Sequence, residues 1–137
     1  MNRKLYEGSS RSESSSSGCK ELISIMDLLG SNNKEFLKRV EKFTENLEVT
    51  TNQLRNLYDI IVDMDCENKD DVNQRLLKLR ILLEYSHRRE LLGKKNNSFY
   101  ICMKELIEDM LDEQKRDQKK VEKFLQLFEA IIAYTKK

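Results

Sequence analysis

The sequence predicts an all-α protein, a compact single-domain bundle of about five or six helices with a flexible serine-rich N-terminal tail, and three observations lead there. The chain has no proline and only four glycines in 137 residues, so little in it would interrupt a helix. Charged residues make up 36% of it, which suits amphipathic helices with solvated faces better than tight-turned sheet. Apolar residues recur at helical spacing from Leu22 almost to the C-terminus. A chain of this length has room for one domain and buries roughly two-thirds of its unfolded surface, enough for one modest core.

The elements follow in order. Residues 1–18 include "EGSSRSESSSSG", which has almost nothing to bury, so no packing offsets the entropy of ordering it; this is the predicted tail, with the bundle spanning 19–137. Leu22, Ile25 and Leu29 mark a first helix, and Phe36, Val40, Phe43 and Leu47 a second. Thr50 followed by Gln53 has the capping-box spacing, so a third helix starts there and presents Leu54, Leu57, Tyr58 and Ile61 on one face. "DCENKDD" closes it with residues that favour turns and helix starts. A fourth helix is predicted from about Val72 to Leu92, stopped by Gly93. After the polar "GKKNNS", Phe99, Met103, Leu106 and Met110 mark a fifth helix, and Val121, Leu125, Phe128 and Ile132 a sixth.

The fourth helix is apolar nearly all round: at about 100° per residue, Leu76, Leu79 and Leu83 fall on one side, Leu77, Ile81 and Leu92 on another, and Leu82 on a third. Such a helix is either central to the bundle or shared with a neighbouring subunit. It also gathers cations. Arg75, Lys78, Arg80, Arg88, Arg89, Lys94 and Lys95 stand against Glu84 and Glu90, a local charge of +5 in a chain whose net charge is +1. The remainder therefore sums to −4. That asymmetry is what a polyanion-binding strip would show, and equally what a solvated face with long stems over apolar surface would show.

Other chemistry has little support. Cys19, Cys66 and Cys102 are odd in number and widely spaced, which suggests reduced, mostly buried thiols rather than disulfides or zinc. His87 is the only histidine and has no partner at a metal-ligand spacing, so no metal or cofactor is expected. Asp63, Asp65 and Glu67 stand at calcium-loop offsets, but the glycine position is Asn68 and the closing glutamate is Gln74. No phosphate loop, nucleophile elbow or zinc-protease motif is present, so catalysis is not expected; a small hydrolase built on His87 is the remotest reading. With no apolar run near the roughly 20 residues of a membrane span and no signal-peptide centre, a cytoplasmic, membrane-free protein is expected.

Three stretches, "EVTTNQLRNLYDII", "LLKLRILLEYSHRRE" and "FLQLFEAIIAYTKK", together resemble the small helical subunit of the type III-A CRISPR-Cas effector, the Csm complex, over about Phe36 to Lys137. One position departs from that pattern: where the family reads tyrosine, two small residues, glycine and arginine, this chain has Tyr85, Ser86, His87, Arg88 and Arg89, which puts Arg88 at the glycine position. The resemblance implies a non-catalytic subunit of an antiviral ribonucleoprotein. Such subunits stack as a short filament beside CRISPR RNA and the target RNA paired with it. Target cleavage then belongs to the repeated backbone subunit, and DNase and cyclic-oligoadenylate synthesis to the large subunit. The implied partners are CRISPR RNA, target RNA, the other Csm subunits and neighbouring copies of the chain. A guide-target duplex must be held whatever its sequence, so contacts should go to phosphate and sugar. Arg55, Lys78, Arg88 and Arg89 are the expected RNA-binding residues, and Tyr85 is expected to pack its ring in the core, with stacking on a base or ribose as the alternative. The alternative is a helical protein-interaction module in which the cationic helix docks on an acidic partner without RNA.

Overall fold

Side-chain caps set where four of the helices begin. In each, a short polar side chain accepts a hydrogen bond from the backbone N–H three residues on, satisfying a donor that the first turn leaves without a partner. The pairs are Asn32 with Glu35 (3.2 Å), Thr50 with Gln53 (3.2 Å), Asn68 with Asp71 (3.1 Å) and Asp117 with Lys120 (2.7 Å). The structure is a computed structural model that describes residues 21–93 and 98–136. The predicted serine-rich tail, Cys19, Lys94 and Lys95 lie outside the described residues.

The described residues form six helices. Helix α1 covers 21–27, and then follow α2 (Asn33–Thr44), α3 (Thr51–Tyr58), α4 (Lys69–Arg88), α5 (Ser98–Leu111) and α6 (Gln118–Tyr134). Among them α4 packs on α5 and α2 on α6, while the two-turn α3 touches both α4 and α6 and joins the two pairs. One continuous core runs through the bundle, with Phe99, Phe124 and Phe128 its largest fully buried side chains. The all-α bundle predicted by helical periodicity is what forms. Cys102 is buried and Cys66 half-buried, and burial pushes the Cys66 thiol up from its ordinary value.

Helix α4 departs from the sequence reading at both ends and on its outer face. It begins at Lys69 rather than near Val72, because Asn68 caps a polar first turn that apolar spacing does not register. It ends at Arg88, one turn before Gly93. Glu90 is left-handed (φ 59), its N–H donates to the His87 carbonyl (3.0 Å), and the Leu91 N–H donates to the Ser86 carbonyl (2.9 Å). Those two bonds make a Schellman stop with Glu90 where glycine usually stands. The early stop lets Leu92 turn back into the core, where it is 3% exposed. The helix is also not central. It buries Val72, Leu76, Leu79 and Leu83 and leaves Leu77, Ile81 and Tyr85 exposed, so one of its apolar sides faces outward.

Candidate nucleic-acid interface

Among the described residues, the cations of α4 separate into those that carboxylates hold and those that none does. Arg75 donates to the Ile60 carbonyl (3.0 Å), pairs with Asp63, and approaches Asp71 (3.3 Å). Arg80 bridges Glu108 (2.8 Å) and Glu84 (3.0 Å). Arg88 pairs with Glu84 at 2.7 Å, one turn back on the same helix. Three of the cations that made the strip so positive in sequence are thus compensated by Asp63, Asp71, Glu84 and Glu108. Asp63 and Asp71, two of the carboxylates around the calcium-like spacing, serve as partners of Arg75, and Asp71 also accepts the Asp65 N–H (2.8 Å).

Glu84 is the hub of that arrangement. Its carboxylate accepts from the Tyr100 hydroxyl (2.6 Å) as well as from Arg80 and Arg88, and the Tyr100 ring stacks on His87 with centroids 3.7 Å apart. These donors, Tyr100 first, hold the Glu84 carboxyl down to about 2 from its ordinary 4.5. A carboxylate lowered in the folded state stabilises the fold above its unfolded value, and that contribution is lost as the pH falls through the folded one. Between pH 4.5 and about 2 the stability advantage of wild type over Glu84→Gln is therefore expected to shrink, as urea unfolding at a series of pH values would show. A constant difference across that window would mean that Glu84 is not held in this way.

Lys78 and Arg89 make no ion pair among the described residues, and both are exposed. On the wheel they lie about 20° apart, and roughly 16 Å apart along the axis, with Tyr85 between them. Tyr85 is 49% exposed, and the Arg89 guanidinium sits 3.7 Å from its ring centroid. This corrects the expectation that Tyr85 packs in the core: its Cβ direction leads away from the buried stripe, and Arg89 covers the ring instead. Arg88 is turned about 100° from Arg89, toward Glu84. Arg55 lies apart on α3. It is exposed and makes no ion pair among the described residues, and so lacks the pair to Asp59 that the helical spacing allowed. It stands in the last turn of a two-turn helix, so the anion-favouring amides at the helix start are not beside it.

Sequence reading passed over a second group of cations. Lys115 and Arg116 stand in the turn between α5 and α6, and Lys119, Lys120 and Lys123 in the first turns of α6. Lys120 is held by Asp109, Lys115 approaches the same carboxylate at 3.9 Å, and Arg116 donates to the Asn73 side chain (2.6 Å). Lys119 and Lys123 have no such partner among the described residues and line an open groove against Ile23 and Met26 of α1. Five cations within nine residues was the available signal.

The Csm2 type III-A family matches residues 30–137, which takes in α2 to α6. The chain belongs to the Csm2 type III-A family. It is thus the small subunit of a type III-A CRISPR-Cas effector, a member of the Csm complex alongside its other subunits. The match reaches back to the turn before α2, further than the resemblance seen from Phe36. Neither a curated protein nor a solved structure gives a match. All four of the expected RNA-binding residues, Arg55, Lys78, Arg88 and Arg89, fall inside the Csm2 match. Among the described residues no helix is long and apolar enough to cross a membrane.

Proposed function

We propose that this Csm2-family chain is a non-catalytic, cytoplasmic subunit that lines the channel of paired CRISPR RNA and target RNA and grips their backbone through Lys78 and Arg89 on α4. The observation that carries the reading is the pair of exposed cations without carboxylate partners among the described residues, flanking the exposed Tyr85 on the outward face of α4. Point charges on flexible or ring-supported stems suit phosphates of any sequence, and the Tyr85 ring offers a base or ribose a surface on which to stack. Arg55 adds a contact from α3, and Arg88 a weaker one, since Glu84 already shares its charge. The chain breaks no bond itself in this reading. Glu84 and His87, side chains that acid-base chemistry would draw on, are committed to an ion-pair hub and a ring stack. The other Csm subunits, neighbouring copies and the two RNAs are its partners. Residues 1–18 form a tail separate from the bundle of 19–137, a division supported by the serine-rich composition.

A salt titration of effector-RNA affinity tests this. Lys78→Ala and Arg89→Ala should each lower the slope of log affinity against log salt by somewhat under one unit per bound copy, equally for unrelated RNA sequences. Arg88→Ala should lower it less, because the Arg88 guanidinium is already held by Glu84 and has less of its hydrogen-bonding capacity left for a phosphate. Deleting residues 1–18 should leave the slope unchanged. Wild-type slopes for both Lys78→Ala and Arg89→Ala, with helicity retained by circular dichroism, would show that these cations face protein or solvent.

A further inference from the structure

Besides its buried stripe, α6 turns a second row of residues into an open groove. Lys119, Lys123, Gln126, Ala130 and Ala133 line it in alternating steps of four and three. At about 100° per residue they share a band roughly 80° wide, the seam that a helix offers to a neighbouring helix. The opposite wall is α1, the turn after it and the first half of α2: Ile23 and Met26 at one end, Leu29 and Gly30 in the middle, Phe36 and Leu37 at the other. Ile23 and Leu37 stay 44% and 45% exposed on the rim, and nothing lies within 4 Å of where a Cβ on Gly30 would stand. The α1 wall precedes residue 30, where the Csm2 match begins. Charge changes along the groove. Lys119 and Lys123 make no ion pair among the described residues and occupy the α1 end, while Ala130, Ala133, Phe36 and Leu37 make the other end apolar.

We infer that this groove docks an amphipathic helix of a different protein, with acidic side chains over Lys119 and Lys123 and large apolar side chains over Ala130 and Ala133. The row from Lys119 to Ala133 is about 21 Å long, so the docked segment is about four turns. Charge complementarity selects this occupant. At the apolar end the small Ala130 and Ala133 leave room for leucine-sized side chains beside Leu37, the way a helix anchors in a groove. A nucleic-acid backbone would be drawn to Lys119 and Lys123, but it would then meet the exposed Glu122 and Glu129 and leave Ile23 and Leu37 uncovered. The groove is built from α1, α2 and α6, none of which carries Lys78, Tyr85 or Arg89, so the inference stands without the RNA reading.

Fluorescence anisotropy of a labelled helical peptide with the full chain tests it. The probe is about 16 residues long, with glutamates over two turns and leucines at heptad spacing over the other two. Wild type should bind it with a dissociation constant below about 100 µM, and more weakly as salt rises. The combined Lys119→Glu and Lys123→Glu chain should bind it about tenfold more weakly or worse, because attraction becomes repulsion. That chain should instead bind a second probe, with lysines in place of the glutamates, within about threefold of the wild-type value for the first. Glutamates in the first turns of α6 suit a helix start, so circular dichroism should show the fold unchanged. Ala133→Gln keeps both lysines and fills the apolar end with a longer polar side chain. It should weaken the first probe about tenfold and leave the RNA salt slope at the wild-type value. Lys78→Ala should do the reverse, so failure of the groove and failure of the RNA reading give different patterns. A wild-type dissociation constant above about 100 µM overturns the inference, as does a reversed chain that gains nothing with the lysine probe. Displacement of the first probe by a guide-target RNA duplex would overturn it too, by making the groove a nucleic-acid surface.

Discussion

Phe128→Ala is expected to lower the stability of the bundle by about 3 to 5 kcal/mol. Phe128 is 1% exposed, meets Phe124 edge-to-face with centroids 6.0 Å apart, and lies against Tyr58 at 5.5 Å. Those contacts tie α6 to α3, and α3 is the short helix that joins the α4/α5 pair to the α2/α6 pair. Removing the ring leaves a cavity at the junction of the two pairs, where the surrounding helices can collapse only by giving up other packing. Domains of this size are stable by about 5 to 15 kcal/mol in total, so the loss takes a large part of what holds the fold. Phe128→Leu keeps most of the volume and should cost under about 1.5 kcal/mol. Urea unfolding followed by far-ultraviolet circular dichroism measures both, and a loss below about 1 kcal/mol for Phe128→Ala would mean that the site repacks.

Apolar spacing made most of this core legible. Phe99, Met103, Leu106 and Met110 are all buried on α5, and Val121 and Phe128 on α6, whereas Leu125 and Ile132 sit at the edge of the α6 stripe and are half-buried. It failed on α4, where apolar residues lie on two sides and spacing alone cannot say which side a neighbour covers. There Leu76 and Leu79 went inward, while Leu77 and Ile81 went out. The stop at Gly93 was misplaced for a related reason. A glycine after a helix is a general sign of a left-handed residue, but here Glu90 takes that conformation and Gly93 serves a different contact. The cation strip was visible as composition but its compensation was not, since Asp63 stands 12 residues before Arg75 and Glu108 stands 28 after Arg80. The Asp71–Arg75, Arg80–Glu84 and Glu84–Arg88 pairs do lie at helical spacing. The exposure of Lys78, by contrast, follows from its position on the wheel relative to the buried stripe and needs no distant partner.

Gly93 and Gly30 separate two effects that usually come together. Both are left-handed, with φ of 93 and 88, so an alanine at either position should cost about 1 to 2 kcal/mol from backbone conformation alone. At Gly30 nothing lies within 4 Å of where the new Cβ would sit, and that conformational cost should be the whole effect. At Gly93 the Cβ would stand 2.7 Å from the Glu48 Cβ, which sits next to the backbone and cannot swing away as a side-chain tip could. The segment after α4 must then move off the strand of chain between α2 and α3, or Leu92 must leave the core. Gly93→Ala should accordingly cost about 1 to 3 kcal/mol more than Gly30→Ala in the same denaturant series. The displacement also reaches the end of α4, where the Schellman bonds from Glu90 and Leu91 hold Arg88 and Arg89. At temperatures where both variants remain folded, Gly93→Ala should weaken RNA binding and Gly30→Ala should not. Equal stability losses for the two alanines would show that Glu48 yields freely, and the α4 end would then owe its position to the Schellman turn alone.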